Sequence, residues 1–367
     1  MSVKKRVSVI TLHRVKNYGS VLQSYATQRL IEELGYECEF VDYWRPDLLD
    51  SVDDYFQKSR WSSYPLLRIP FRVVRARWVE RNHAVFNGFV DDFLNVSPNS
   101  YYNAQELLDN PPIADMYCVG SDQIWNSEYN AGGTAPFFAT FAPNGAKRLS
   151  FSSSFGKHDA LPESRALAVA ELPSFSAVSV REAAGVEVLK SLGVRATHTL
   201  DPTLVLEPDA WSQFCARAVS PRPSKPLVYQ LNRGAEFDRV VKEVEHESRA
   251  VATRLDISSA FPVLRASVHQ PTVPNWVALF RDASHVVTDS FHGVAFALIF
   301  NKPMTVVLPP TYGDRLLSIL ELAGLQDRVV PRGEAPNFRA IDWSEVNRRV
   351  DASRLDSREF LRRALAV

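Results

Sequence analysis

Residues 7–43 read VSVITLHRVKNYGSVLQSYATQRLIEELGYECEFVDY, and their layout sets the class of protein to expect. Val7 to Leu12 is a short run rich in β-formers. A loop follows from His13 to Gly19. From about Ser20 to Leu34 the residues Leu22, Tyr25, Ala26 and Leu30 recur at helical spacing on one face. Gly35 stands just past that helix, where a left-handed residue is wanted. Glu37 to Tyr43 returns as a strand. Strand, helix and strand in such close succession predict a βαβ unit, hence a parallel sheet flanked by helices.

The same alternation continues along the chain. Strand-like runs appear at 116–119, 148–151, 177–180 and 197–200, with a helix over 182–192. Prolines cluster at Pro208, Pro221, Pro223 and Pro226, which reads as a linker. Beyond it, strands are expected at 227–231, 251–257, 285–289 and 304–308, and helices at 236–247, 276–281 and 291–300. A closing helix over about 353–366 places Phe360, Leu361, Ala364 and Leu365 on one face. The expected organisation is a first Rossmann-like domain over 1–207, a linker over 208–226, a second over 227–345, and a terminal helix over 346–367. In such sheets ligands bind at the carboxyl ends of the strands, so the loops directly after strands are where chemistry is sought.

Composition bounds the function. The chain has 367 residues, 46% of them apolar and 23% charged, with a mean hydropathy of −0.16. Lys and Arg total 42 and so do Asp and Glu, which excludes a whole-protein basic field, and no nucleic-acid partner is expected. Cys38, Cys118 and Cys215 are scattered, which argues against a disulfide framework or a zinc site. The first residues lack a signal peptide's apolar core, and no run approaches the length of a membrane span. A cytoplasmic protein is expected. Local charge is less even. Between Lys58 and Arg81, Lys58, Arg60, Arg68, Arg72, Arg75, Arg77 and Arg81 oppose only Glu80, with Trp61, Tyr64, Phe71 and Trp78 among them. Such a mixture suits the anionic inner face of the plasma membrane, or else a solvated surface paired with acids elsewhere.

Four post-strand segments carry candidate chemistry. In His13-Arg14-Val15-Lys16-Asn17-Tyr18-Gly19-Ser20, Arg14 and Lys16 bring positive charge. Asn17, Gly19 and Ser20 sit where a helix N-terminus frees amides for an anion; Ser20 as a plain N-cap is the alternative. In Gly120-Ser121-Asp122-Gln123, the glycine permits close backbone approach, and Asp122 and Gln123 offer an acceptor and an amide. In Ser179-Val180-Arg181-Glu182, the Arg181 fork matches carboxylate and phosphate oxygens; a surface ion pair with Glu182 or another acid is the competing reading. In Thr288-Asp289-Ser290-Phe291-His292-Gly293, ionisable groups open a helix that is apolar all round, so they need partners or a ligand. No metal-binding histidine spacing, dinucleotide fingerprint, P-loop or nucleophile elbow is present.

At these residues the sequence resembles the polysaccharide pyruvyl transferase family. The resemblance rests on Thr11-Leu12-His13 with Asn17 to Gln23, Gly120 to Asn126, Ser179 to Glu182, Leu200-Asp201-Pro202-Thr203-Leu204, and Asp289 to Gly293 with Asn301-Lys302-Pro303. It runs over about residues 7–308. It implies a glycosyltransferase-B-like fold of two Rossmann-like domains, with a C-terminal helix crossing back to the first. The implied activity is transfer of a pyruvyl group from phosphoenolpyruvate to two hydroxyls of a sugar, giving a cyclic ketal. Implied acceptors are exopolysaccharide, cell-wall or glycan residues, often lipid-linked. Where the family resembles Arg-x-His, this chain has Ser290-Phe291-His292; the histidine carries over and the arginine does not. Arg181 would then meet the donor's charge, with Arg14, Lys16 or Lys302 substituting for the missing arginine.

The chemistry calls for an acid and a base near the operating pH. His292 is the candidate acid, Asp122 the base for a sugar hydroxyl, and Asp289 either a second base or a structural cap. No metal and no organic cofactor is required, since side chains can meet the charge of phosphoenolpyruvate. Two other readings remain. A sugar-nucleotide glycosyltransferase would need a ribose contact, for which Asp256 and Glu236 are weak candidates. A glycan-binding homologue without activity would explain Ser290.

Overall fold

The computed structural model describes residues 4–49, 68–130, 132–157, 159–218, 224–256, 268–309 and 313–366. Lys58 to Leu67 of the basic segment and residues 219–223 of the expected linker lie outside them. Two compact units are present, one of Met1–Pro202 with Ser357–Val367, the other of Thr203–Asp356.

The first unit is built on β1 (Arg6–Ile10), β2 (Glu37–Tyr43), β3 (Val96–Tyr101), β4 (Met116–Val119) and β5 (Lys147–Ser150). Their order is β3-β2-β1-β4-β5, and every pair is parallel. The central β1 and β4 are buried almost without interruption, as strands covered on both faces must be. The helix Tyr18–Glu33 carries the chain from β1 to β2. A small parallel pair, β6 (Ser179–Val180) and β7 (Thr197–His198), follows. The core gathers around fully buried Trp125, which stacks on Phe138 with ring centroids 5.3 Å apart and donates its indole N–H to the Phe137 carbonyl at 2.9 Å.

The second unit repeats the plan with β8 (Pro226–Tyr229), β9 (Thr253–Asp256), β10 (Val268–His269), β11 (His285–Thr288) and β12 (Met304–Val306). The order β10-β9-β8-β11-β12 is again all parallel. Every residue of the helix Phe291–Ile299 is buried, and its Phe296 meets Trp211 and Trp276 edge-on at 5.0 and 5.1 Å. Both units are thus Rossmann-like. In each, the strand order reverses beside the first strand, between β1 and β4 and between β8 and β11, which is where ligands bind in such sheets.

Several expectations are revised. The chain leaves the first unit after Pro202 rather than at residue 207. The cause is Trp211, buried against Phe296, whose indole also binds the Thr203 carbonyl at 2.9 Å. Part of the expected linker is therefore helical, Pro208–Phe214 and Cys215–Arg217, and belongs to the second unit. The N-cap of the first helix is Asn17, which accepts the Gly19 amide at 2.8 Å, and Ser20 lies inside the helix. The edge strand β3, VSPNSY, has no counterpart among the expected strands: its proline and polar residues lack alternation, and an edge strand tolerates both. The last helix is longer than expected, Trp343–Ala366, and its end from Ser357 onward is part of the first unit.

Candidate functional site

The carboxyl edge of the first unit is assembled from the turns after β1, β4 and β5 and from residues just beyond β6 and β7. The turn after β4 presses on the one after β1: a Cβ on Gly120 would stand 2.9 Å from the Thr11 Cβ, so only glycine fits. Thr11 donates its hydroxyl to the Ser121 carbonyl at 2.8 Å and accepts from Gln23 at 2.9 Å, locking the turn to the first helix. Asp122 follows with a φ of 77°, a left-handed conformation that costs a non-glycine residue energy and that tends to be kept at functional sites. Ser20 donates its hydroxyl to Asp122 Oδ2 at 2.5 Å, while Oδ1 accepts from the Gln123 amide at 2.8 Å.

Arg181 lies behind Asp122 with its side chain wholly buried. Its Nη2 reaches Asp122 Oδ1 at 3.3 Å, its Nε reaches Glu182 Oε1 at 3.2 Å, and its Nη1 reaches Asp201 Oδ2 at 2.8 Å. Ser121 and Ser154 donate hydroxyls to Asp201 and Glu182. Burial works against the guanidinium charge, but the three carboxylates outweigh it and hold its pKa above the ordinary arginine value. The expectation that Arg181 offers a fork to the donor's anion is corrected accordingly: its donors face three carboxylates, and a phosphate brought there would meet net negative charge. Arg181 organises acids. The competing reading, a surface ion pair with Glu182 or another acid, has the kind of partner right but not the place, since the side chain is wholly buried.

Arg14 is also committed. Its Nε donates to Asp42 Oδ1 at 2.6 Å and its guanidinium lies 4.8 Å from the Trp44 ring centroid. Burial raises the Asp42 pKa, but the His13 ring 3.8 Å away and the hydrogen bonds from Arg14 and Ser100 prevail and hold it well below the usual carboxylate range. His13 is fully buried, and burial lowers its pKa. Arg14 therefore braces the turn after β1 instead of standing open for a donor. Lys16 is half-buried in the same turn. The Gln123 side chain packs on Gly156, where a Cβ would come within 2.2 Å of its Oε1.

The second unit brings Asp289, Ser290 and His292 to the end of β11. Asp289 accepts the Leu231 and Asn232 amides at 2.7 Å each and the Asn232 side-chain amide at 3.0 Å, so it clamps the turn after β8. Burial raises its pKa against these hydrogen bonds. The structural-cap alternative is thus realised in its contacts. The Ser290 amide donates to the Thr288 hydroxyl, which in turn donates to the Tyr229 carbonyl at 2.7 Å. His292 stands buried in the first turn of the helix, edge-on to Phe291 at 5.2 Å. Gly293 is obligatory there: a Cβ would lie 2.2 Å from Thr288 Oγ1.

Beside Asp289 opens a cavity of about 360 Å³, walled by Phe237, Val307, Leu308 and Val330 and rimmed by Arg233 and Arg332. Neither arginine makes a hydrogen bond or ion pair among the described residues. Neither is singled out by the sequence, since nothing in their local surroundings marks them. Lys302 is not among the cations at this cavity. It precedes β12, whereas Asp289 follows the parallel β11, so the two occupy opposite ends of the sheet. Glu236, the alternative ribose contact, is engaged by Arg239 and the Gly333 amide, and Asp256 ends β9. Among the described residues, no group of His, Cys, Asp and Glu could hold a metal ion, and no helix is long and apolar enough to cross a membrane.

A family model described as polysaccharide pyruvyl transferase matches residues 17–309. No curated protein matches the chain. Similar solved structures include Arabidopsis thaliana UGT89C1 complexed with quercetin, 12% identical, with a TM-score of 0.46 over 98% of this chain and 93% of that one. An S. aureus MnaA–UDP co-structure is 12% identical, with a TM-score of 0.46 over 99% and 91%. UDP-N-acetylglucosamine 2-epimerase from Rickettsia bellii is 9% identical, with a TM-score of 0.43 over 99% of both.

Proposed function

Because this chain belongs to the polysaccharide pyruvyl transferase family, we propose that it moves a pyruvyl group from phosphoenolpyruvate onto two hydroxyls of one sugar, forming a cyclic ketal. The observation that carries this reading is the match over residues 17–309, which takes in the Asp122 turn, the Arg181 cluster and the His292 segment.

The donor bears a carboxylate and a phosphate, and its charge calls for cations with unused donors. Arg233 and Arg332, at the cavity that Asp289 lines, suit that role. His292 acts as the acid, delivering a proton to the methylene carbon of the enol so that C2 becomes electrophilic. One sugar hydroxyl adds to C2 and gives up its proton. The second hydroxyl displaces phosphate from C2 and gives up its own. One proton thus goes to carbon and two come from hydroxyls, the surplus leaving with inorganic phosphate. Asp122 accepts a hydroxyl proton, held in place by Ser20 and Arg181.

The acceptor sugar is carried on a lipid in this proposal, and the helix Arg68–Asn82 supplies the contact with an anionic membrane surface. Its Ile69 and Val73, one turn apart, are 74% and 50% exposed, within a segment of five arginines and one acid. Exposed aliphatics among arginines suit a lipid–water boundary.

Phosphate release from phosphoenolpyruvate, measured with and without a panel of glycans and lipid-linked sugars, tests the function. Acceptor-dependent release, with the ketal seen by mass spectrometry, is the expected result. Turnover of sugar nucleotides with phosphoenolpyruvate untouched would overturn it.

A further inference from the structure

Ketal formation is unusual among group transfers in drawing protons from two hydroxyls of the same sugar at one carbon. Two proton acceptors are therefore needed on the acceptor side, or one that is emptied between steps. The Arg181 cluster offers two. Its neighbouring nitrogens Nε and Nη2 hold Glu182 and Asp122, and both carboxylates keep some solvent access, at 11% and 10% exposure. Asp201, on Nη1, has none.

The two accessible acids differ in how much of each is already committed. Both oxygens of Asp122 accept hydrogen bonds, from Ser20 on one side and from Gln123 and Arg181 on the other. Glu182 is held by Oε1 alone, which accepts from Arg181 Nε and the Ser154 hydroxyl. Ser154 is itself fixed, accepting the Gly156 amide at 2.9 Å. Among the described residues Oε2 accepts nothing. One oxygen anchored and the other open at the carboxyl edge of a sheet is the arrangement a base requires: orientation from the first, a lone pair for the substrate on the second.

We infer that Glu182 is a catalytic base for the sugar acceptor, taking the proton of one hydroxyl while Asp122 serves the other. The inference rests on the pyruvyl-transfer reading. No redox change or additional reactant is involved. The Glu182 carboxylate gains the hydroxyl proton as the new C–O bond forms at C2, and passes it to solvent or to departing phosphate.

The test compares Glu182→Gln with Glu182→Asp in wild-type background, using an acceptor on which the wild type is active. Glutamine still accepts from Arg181 and Ser154, so a residue that only braces Arg181 would tolerate it. A base would not. The expected result is a fall in kcat of roughly 10²–10⁴-fold for Glu182→Gln, with the dissociation constant for phosphoenolpyruvate within threefold of wild type by calorimetry. Glu182→Asp, which keeps the carboxylate, should recover at least tenfold over Glu182→Gln. A Glu182→Gln kcat within threefold of wild type would overturn the inference, as would Glu182→Asp being the weaker of the two. Should Glu182→Gln not fold, Ser154→Ala decides. It frees Oε1 without removing charge, and a threefold to tenfold loss of kcat at unchanged donor affinity supports the inference, whereas unchanged kcat overturns it. If the wild type consumes no phosphoenolpyruvate with any acceptor, it is the pyruvyl-transfer reading that fails.

Discussion

Replacing Arg181 by methionine should unfold the edge of the first unit before it does anything measurable to donor binding. The side chain is wholly buried and makes three charge-assisted hydrogen bonds, at 2.8, 3.2 and 3.3 Å. Methionine fills much of the volume but leaves Asp122, Glu182 and Asp201 facing one another. Removing one partner of a buried ion pair typically costs about 3–5 kcal/mol, because the orphaned charge stays buried. Here a single deletion orphans three acids, so that range is a lower bound. Amide hydrogen exchange reads the loss unit by unit: protection in β4 and β5 should fall by roughly 10²–10⁴-fold at 1.4 kcal/mol per tenfold, with β8 and β11 as the internal reference. Adding Asp201→Asn to Arg181→Met should return part of the protection, with a coupling of about 0.5–3 kcal/mol. Protection within threefold of wild type in Arg181→Met, together with lost affinity for phosphoenolpyruvate, would refute this reasoning and restore Arg181 as an anion-binding fork.

His292→Ala should lower turnover by roughly 10²–10⁴-fold with its melting temperature nearly unchanged; a collapse of the melt instead would make the histidine structural. Gly293→Ala should destabilise by about 1–3 kcal/mol, since the new methyl meets Thr288 at 2.2 Å; an unchanged urea midpoint would contradict the packing described. His285 is bonded to Thr305 at 2.8 Å, and burial with the Arg328 charge lowers its pKa to about 4. Because the unfolded chain binds that proton more readily, stability present above about pH 6.5 should drain away as pH falls toward 4, by about 2 kcal/mol at pH 5. Urea titrations of His285→Gln should show that much less acid sensitivity, and equal slopes for both proteins would refute it. Finally, the wild type should sediment with anionic vesicles at low salt and release above physiological ionic strength, whereas Ile69→Ser with Val73→Ser should bind at least threefold less; equal partitioning would remove this helix from any membrane contact.

The two sheets were legible because buried parallel strands are short apolar runs, and those runs fall where β1, β4, β8, β11 and β12 stand. The edge strand β3 carries its pairing in the backbone alone and leaves little trace in side-chain type. Where the candidate residues fall in the fold was equally legible. Asp122, Arg181, Asp289 and His292 all follow strands, as expected of an open sheet. Role was harder to read. An arginine beside a glutamate looks the same in sequence whether it greets a ligand or is ringed by acids, and Asp122 and Asp201 reach Arg181 from 59 and 20 residues away. Lys302, offered as a substitute cation, lies a whole helix beyond His292, at the opposite end of the sheet, which its motif does not reveal.

The interrupted path of the first unit has a consequence for synthesis. Its closing piece, Ser357–Val367, buries Leu361, Ala364 and Leu365, pairs Arg358 with Glu33 at 2.8 Å, and offers the Leu365 carbonyl to Tyr36 and Lys147. Those residues leave the ribosome only after all of Thr203–Asp356. The usual order, in which the N-terminal domain folds first as it emerges, is inverted: the contiguous second unit can reach its final state while the first still waits with an uncovered apolar strip. A nascent chain stopped at residue 356 would carry every candidate site residue, yet lack the segment that seals the unit holding Asp122, Arg181 and Glu182.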